Sequence, residues 1–336
     1  MPLNSEIDIY LDDATKHGLF KALLLARVFE EKKIELAQEL SRTDIMTTSC
    51  VGQEAIPVGF CYGLNRDDYI LPSIRSAWAA DITKGLSMQV IAAEMYGRKG
   101  GISNGREISA LMTWPELGIF GGTGVLAGTI TVTAGLALAA RCKKTQQVAV
   151  CFFGDGASCR EEFYSGLNFA ALRKLPAVYV VENNLIAEFT PYEKFMPIEN
   201  IADRAAAFGI PGIIVDGNDV MAVYEIAQQA IGRARAGQGP SLIECKTCRV
   251  RPMSELSDPG KGLPRDVIEA WQKKDPVQRM MQHMLESGAV TDAGIETLRK
   301  QYQAEVDAAF AYGAQCEYAP AAEVFRDVYA NGLRIE

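Results

Sequence analysis

The chain has 336 residues and carries 34 lysines and arginines against 42 aspartates and glutamates, a formal net charge of −8. That balance argues against nucleic acid or an anionic membrane surface as its main partner. The length suits one large or two ordinary α/β domains, and hydrophobic content of 48% with 23% charged residues is that of a soluble globular protein.

Residues 1–46 read as an amphipathic helical extension. Leu19, Leu23, Leu24, Val28 and Phe29 fall on one side, and Arg27 and Glu30 begin the polar pattern. Residues 117–140 contain no charge, which raises the question of a membrane span. Six glycines and several threonines interrupt the stretch, and no flanking charges or aromatics support spanning. The pattern predicts a buried helix after a glycine-rich loop. Its small residues, from Ala127 through Gly135, permit close contact, including contact across a subunit interface.

The stretch from Val148 to Asn184 is the most informative. Val148–Phe153 is an uncharged run of β-formers, as expected of a strand buried on both faces. It stops at Gly154-Asp155-Gly156. Ser158 followed by Glu161 has the spacing of a capping box, which predicts a helix starting there and breaking at Pro176. Ala177–Val181 is a second strand, ending in Glu182-Asn183-Asn184. A βαβ unit makes the two strands parallel and neighbouring. Asp155 and Asn184 then sit at carboxyl ends of strands, the edge where open α/β sheets bind ligands. A carboxylate and an amide oxygen are hard ligands of the kind Mg²⁺ takes, and Mg²⁺ fills its remaining positions with phosphate and water. The Gly156-Ala157-Ser158 amides, at a helix N-terminus, offer a phosphate site. The unit is suited to a Mg²⁺-diphosphate group.

Gly212–Asp216 and Pro240–Val250 read as further strands. Cys245 and Cys248 form a C-x-x-C, but positions three apart on a strand face opposite sides and no second pair accompanies them. With eight scattered cysteines and no secretory signal, the expectation is a protein of the reducing cytoplasm. Arg251 to Arg265 is a polar loop with three prolines and two glycines, either a lid beside the ligand edge or a plain connection. From Asp266 onward the pattern is helical, without a catalytic-looking cluster. The expected organisation is a helical extension over 1–46, a cofactor-binding domain over 47–265, and a helical region over 266–336 packing on the same domain.

Gly52-Gln53-Glu54-Ala55, Tyr96–Gly101, Phe120–Val125, the Gly154 motif, Glu182-Asn183-Asn184, Ser257–Gly260 and Asp327–Tyr329 occur in an order that resembles the α subunit of the thiamine-diphosphate-dependent E1 component of 2-oxo acid dehydrogenases, of the pyruvate, branched-chain and acetoin type. The resemblance covers essentially the whole chain. It implies the thiamine-diphosphate-binding fold: a mostly parallel sheet flanked by helices, with helical extensions at both ends. It implies Mg²⁺ held by Asp155, Asn184 and the Ile186 carbonyl. It implies diphosphate contacts from Arg75 and from the Gly154, Gly156 and Ala157 segment, with Gly124 and Leu126 touching the aminopyrimidine through backbone atoms. The activating glutamate would lie on a β subunit in an α₂β₂ heterotetramer, so no catalytic residue is assigned on this chain. The substrate would be a small acyl donor, and the acceptor partner a lipoyl acyltransferase.

The departures concern histidines. Where the family has them, this chain has Ala77, Ser109-Ala110-Leu111, and Arg251 and Met253; its two histidines, His17 and His283, lie in predicted helices away from every motif. Arg251 can replace a lid histidine as a diphosphate ligand, but not as a proton shuttle, because it stays charged. Cofactor binding is spared and acyl transfer to lipoamide is the half affected. A carboligase passing its acyl-carbanion to a carbonyl acceptor is therefore an alternative, and a non-catalytic assembly subunit a second. A dinucleotide enzyme, suggested by Gly122-x-Gly124 and Gly128, lacks the preceding strand that fingerprint needs. Stoichiometric binding of thiamine diphosphate rather than NAD(P) separates these readings.

Overall fold

Each strand expected around Asp155 and Asn184 forms in a computed structural model that describes residues 11–40, 48–107, 111–255, 257 and 261–326. In chain order the elements are helix α1 (Asp13–Leu40), α2 (Ala55–Tyr62), strand β1 (Tyr69–Leu71), α3 (Ala77–Thr83), α4 (Met88–Met95), α5 (Gly128–Lys143), β2 (Ala149–Gly154), α6 (Glu161–Leu172), β3 (Ala177–Asn183), β4 (Ile186–Ala187), β5 (Thr190–Pro191), α7 (Tyr192–Phe195), β6 (Gly212–Asp216), α8 (Val220–Arg235), β7 (Ser241–Lys246), α9 (Arg265–Gln272), α10 (Pro276–Glu286) and α11 (Asp292–Gln315). The main sheet has the order β1-β2-β3-β7-β6, and every neighbouring pair is parallel. Strands β4 and β5 form a separate antiparallel hairpin.

Strands β1, β2, β3 and β7 are buried on both faces, which is why β2 and β3 read as continuous apolar runs, while the edge strand β6 is largely exposed. Alternate residues feed two cores, as the period of a strand requires. Val150, Phe152, Val178 and Val180 join the core formed with α1, α2 and α8. Ala149, Cys151, Phe153, Tyr179 and Val181 join the core under α5 and α6. Phe152 meets Phe60 edge-on at 5.8 Å between ring centroids, and Phe153 meets Phe163 at 6.0 Å. Each such ring contributes roughly 1.5–3 kcal/mol by leaving water. Helices α10 and α11 pack against α1, and α11 also against α4, so the first helix and the last two close over one face.

Three local expectations are corrected. Leu19, Leu23, Leu24, Val28 and Phe29 are buried as expected, but Arg27 and Glu30 do not open a solvated face. They are buried, with Lys33, because α2, α3, α10 and α11 surround this helix. Their charges are compensated inside the protein. Arg27 pairs with Glu54 and donates from Nη2 to Asp275 at 2.8 Å, while Lys33 donates to Glu30 at 2.8 Å.

The capping box does not form. Ser158 Oγ donates to the Asp155 carbonyl at 2.7 Å, and residues Asp155–Cys159 make a 3₁₀ turn. Helix α6 starts only at Glu161, after an extended Arg160. The Gly156–Ser158 amides therefore belong to that turn and not to the first turn of a long helix.

Helix α5 is buried on one side only. Ile130, Thr133, Ala134 and Ala137 face the core, whereas Thr131, Val132 and Gly135 are exposed. Among the described residues no helix is long and apolar enough to cross a membrane.

Candidate functional site

Gly154 at the end of β2 stands in register with Glu182 near the end of β3. Asp155 and Asn184 therefore emerge side by side at the carboxyl edge of the sheet. They line a cavity of about 530 Å³ with Arg75, Leu126, Ile186 and Arg249. Gly154, Gly156 and Ala157 lie in its wall. Two other clefts, of about 700 and 740 Å³, lie beside α1 and α11 and at the starts of α8 and α10, and contain none of these residues.

The polar atoms of the cavity are unusual in what they lack. Asp155 is 2% exposed; its Oδ1 accepts from the Gly156 amide at 2.7 Å, and its Oδ2 has no partner. Asn184 Nδ2 donates to Gln53 Oε1 at 3.0 Å, and Asn184 Oδ1 has no partner. A buried polar atom left unsatisfied costs on the order of 1–3 kcal/mol. Two such oxygens on one cavity wall are available to an electron-pair acceptor. Burial pushes the Asp155 carboxyl up to about 6, against the opposing pull of nearby backbone amides and the Arg249 charge. A carboxylate, an amide oxygen and room for ligand oxygens fit a hard divalent cation. Among the described residues no group of three or more His, Cys, Asp or Glu side chains could hold a metal without such help.

Backbone geometry completes the pocket. Leu185, immediately after Asn184, adopts φ +71°, a left-handed conformation that a branched residue adopts only at a cost. It turns the chain into the β4–β5 hairpin, so that Ile186 returns to the cavity wall. A Cβ at Gly156 would lie 2.7 Å from the Ala187 side chain, so only glycine lets the hairpin close on the turn. A Cβ at Gly154 would meet nothing within 4 Å, and the glycine leaves that volume to a ligand.

The opposite wall is cationic. Arg75 donates to the Ser49 carbonyl at 2.9 Å. Arg249 donates from Nη1 to the Glu188 carbonyl at 2.6 Å, while its Nε and Nη2 are buried without partners. Burial, and then the neighbouring Arg75 charge, pull Arg249 down to about 10. Met253 Sδ lies 3.7 Å from a nitrogen of each guanidinium. Among the described residues no carboxylate forms an ion pair with either arginine, and the unused guanidinium nitrogens of Arg249 suit phosphate oxygens.

Sequence reasoning missed Arg249. It stands just beyond β7, a strand the sequence does announce, but only the pairing of β7 with β3 brings it to the same edge. Arg251, expected toward the ligand, is instead held by Glu255, with Nε donating at 3.0 Å, and is outside the cavity lining. Its side chain follows the nearest carboxylate in its own turn. Gly124 is exposed and also outside the lining, while Leu126 reaches it from the mouth. Ala77 is buried in α3, Leu111 lies outside the cavity, and His17 and His283 sit in α1 and α10. Ser109, Ala110, Asp258–Gly260 and Asp327–Tyr329 lie outside the described residues. Cys245 and Cys248 are buried free thiols, and burial pushes Cys248 up to about 12.

A family model described as "Dehydrogenase E1 component" matches residues 21–322. The α subunit of acetoin:2,6-dichlorophenolindophenol oxidoreductase from Bacillus subtilis is 35% identical over 314 residues, covering 93% of each chain. The α subunit of 2-oxoisovalerate dehydrogenase from the same organism is 32% identical over 333 residues, covering 98% of this chain and 100% of the relative. The pyruvate dehydrogenase E1 component α subunit of Rhizobium meliloti is 33% identical over 314 residues, covering 92% and 88%.

Proposed function

The chain belongs to the dehydrogenase E1 component family as an α-like subunit, and we propose that it binds thiamine diphosphate and Mg²⁺ and acts on a 2-oxo acid or related acyl donor. The observation that carries this reading is the pair of buried, unpartnered oxygens, Asp155 Oδ2 and Asn184 Oδ1, facing a cavity that two arginines also line. In this reading Asp155, Asn184 and the Ile186 carbonyl hold the metal. Arg75 and Arg249 take the diphosphate, with the Gly154, Gly156 and Ala157 backbone close beneath it. Gly124 and Leu126 border the aminopyrimidine. Bound there, the cofactor would supply a carbon nucleophile toward the donor's carbonyl group. The chain's own part is to bind, orient and keep water out.

The site is half of an active site. Val125, Leu126 and Val132 are exposed beside the cavity mouth, and Phe169 and Leu172 are exposed on neighbouring α6. We assign this face to a β subunit in an α₂β₂ assembly in the cytoplasm, with the activating glutamate supplied by that partner. Residues 47–265 form the cofactor domain in this reading, with 1–46 and 266–336 as helical regions packing on it.

The test is a calorimetric titration of the purified complex with thiamine diphosphate, with and without Mg²⁺. Arg249→Ala is expected to weaken binding by about tenfold or more, the scale of a lost charge-assisted bond, while Arg251→Ala changes it less than about twofold. Equal losses in the two variants would place the diphosphate elsewhere.

A second reading, of the acceptor, rests on Met253. Among the described residues no histidine lines the cavity, and a thioether stands between the arginines. A thioether cannot deliver a proton at neutral pH, which transfer to lipoamide requires. The assembled enzyme should release carbon dioxide from its donor readily, acylate a lipoyl domain slowly, and prefer a carbonyl acceptor. Measuring the three rates on one preparation decides it. Lipoyl acylation that keeps pace with carbon dioxide release would assign an ordinary dehydrogenase.

A further inference from the structure

The buried charges of α1 lead to the metal site. The segment 48–54 runs between α1 and the cavity, and α1 carboxylates and cations hold it at several points. Glu30 accepts from the Cys50 amide at 3.0 Å and from Ser49 Oγ at 3.1 Å. Lys33 donates to the Thr48 carbonyl at 2.8 Å. Arg27 grips Glu54, and Glu54 in turn accepts from the Gly52 amide at 2.9 Å. Gly52 has φ +87°, and a Cβ there would lie 2.7 Å from Val250 Cγ2, so the turn is also pressed against the chain beyond β7. The Gln53 amide closes the turn on the Cys50 carbonyl at 2.8 Å.

This turn reaches both walls of the cavity. The Ser49 carbonyl takes the Arg75 guanidinium, and Gln53 Oε1 takes Asn184 Nδ2 across 131 residues of sequence. Gln53 is 3% exposed. An asparagine side chain has nearly the same shape in its two flipped orientations, and only its hydrogen-bond partners tell oxygen from nitrogen. A cation needs the oxygen; the NH₂ group would repel it. An acceptor placed against Nδ2 leaves Oδ1 for the metal. Gln53 is itself an amide whose Nε2 is buried without a partner, and a glutamate in its place could only accept.

We propose that Gln53 is a positioning residue for the metal site, holding the Asn184 amide so that its oxygen and not its NH₂ group is presented to the cation. The inference rests on the reading of Asp155 and Asn184 as metal ligands. It also gives the buried ion pairs of α1 a purpose. Such pairs add little net stability, because desolvation offsets their attraction, but here they fix the backbone that carries Gln53.

A carboxylate has two equivalent oxygens and needs no such orientation, and that difference makes the proposal testable. The complex, purified through a tag on this chain, is titrated with Mg²⁺ at saturating thiamine diphosphate, and binding is followed by calorimetry. Gln53→Met keeps length and volume but removes the acceptor. Outer-shell partners of metal ligands are worth roughly 10–100-fold in affinity, so this variant should need at least about tenfold more Mg²⁺ for half-saturation. In an Asn184→Asp background the same substitution should cost less than about twofold, as no amide remains to orient. Gln53→Glu retains an acceptor and should stay within about threefold of the unsubstituted complex. Equal losses from Gln53→Met in both backgrounds would reduce Gln53 to a packing role. A Gln53→Glu variant as weak as Gln53→Met would overturn the proposal as well. If the unsubstituted complex binds normally and Gln53→Met matches it, the inference alone fails. If the unsubstituted complex shows no Mg²⁺-dependent binding, the metal-site reading fails with it.

Discussion

Replacing Asp155 or Asn184 by alanine should lower Mg²⁺-dependent affinity for thiamine diphosphate by about a hundredfold or more, because each removes one of very few protein oxygens facing the cation. The cofactor-free protein should respond in the opposite sense. Asp155 is 2% exposed, its Oδ2 has no partner, and burial raises its carboxyl from 3.8 to about 6. Its pKa is higher folded than unfolded, so the ionised form costs stability. That cost is fully present above about pH 6 and fades as the pH falls toward 3.8. At neutral pH, Asp155→Asn should therefore stabilise the cofactor-free chain by on the order of 1–3 kcal/mol, and the gain should shrink toward acid pH. Denaturant unfolding of the cofactor-free variant at pH 7.5 and at pH 4.5 measures it. The same variant should lose the stabilisation that cofactor and Mg²⁺ confer on the parent. A cofactor-free Asp155→Asn that is less stable at both pH values would mean that the ionised carboxylate, through Oδ1 and the Gly156 amide, stabilises the fold more than its burial costs. The expected pattern, stability traded for a ligand site, is common where function requires buried polar groups.

The parts of this site that were legible in the sequence share one property: they are local. Val148–Phe153 and Ala177–Val181 announce their own strands, and a strand end places the residue that follows it. Asp155 and Asn184 could thus be set side by side from one βαβ unit, and they are neighbours in the cavity wall. What could not be read depends on contacts between distant segments. Arg27 and Glu30 look like the start of a solvated face because nothing nearby in sequence shows that Glu54, Asp275 and Ser49 will surround them. Arg249 and Arg251 are two residues apart, and pattern alone favours neither. A glutamate four residues on captures Arg251, and Arg249 is left to the cavity. Ser158 had correct capping spacing, but its hydroxyl found the Asp155 carbonyl first. Hydroxyls compete for nearby backbone groups in this way wherever a tight turn precedes a helix.

The largest effect on turnover away from the ligands is expected at Val132. Val125 and Leu126, just before helix α5, and Val132 within it are 62%, 57% and 52% exposed, and Leu172 on α6 is 75% exposed. Large apolar side chains exposed in one neighbourhood mark an interface. Thr131 and Gly135 flank Val132 on the exposed side, and small residues let a partner helix approach closely. Val132 does not line the cavity, so changing it leaves the ligand groups in place. Val132→Arg puts a charge where the partner must exclude water, and an unpaired buried charge costs several kcal/mol, enough to weaken association by about a hundredfold or more. The variant chain should melt where the parent does, because the side chain is exposed in the isolated subunit. It should fail to co-purify with the β-like partner, and its turnover in the reconstituted mixture should fall in proportion to the lost assembly. Raising the partner concentration should restore turnover, which a damaged active site would not allow. Ala304→Arg, exposed on α11 at the other end of the chain, is the control and should assemble normally. A Val132→Arg chain that assembles and turns over like the parent would remove α5 from the interface and leave the exposed apolar face without its proposed occupant.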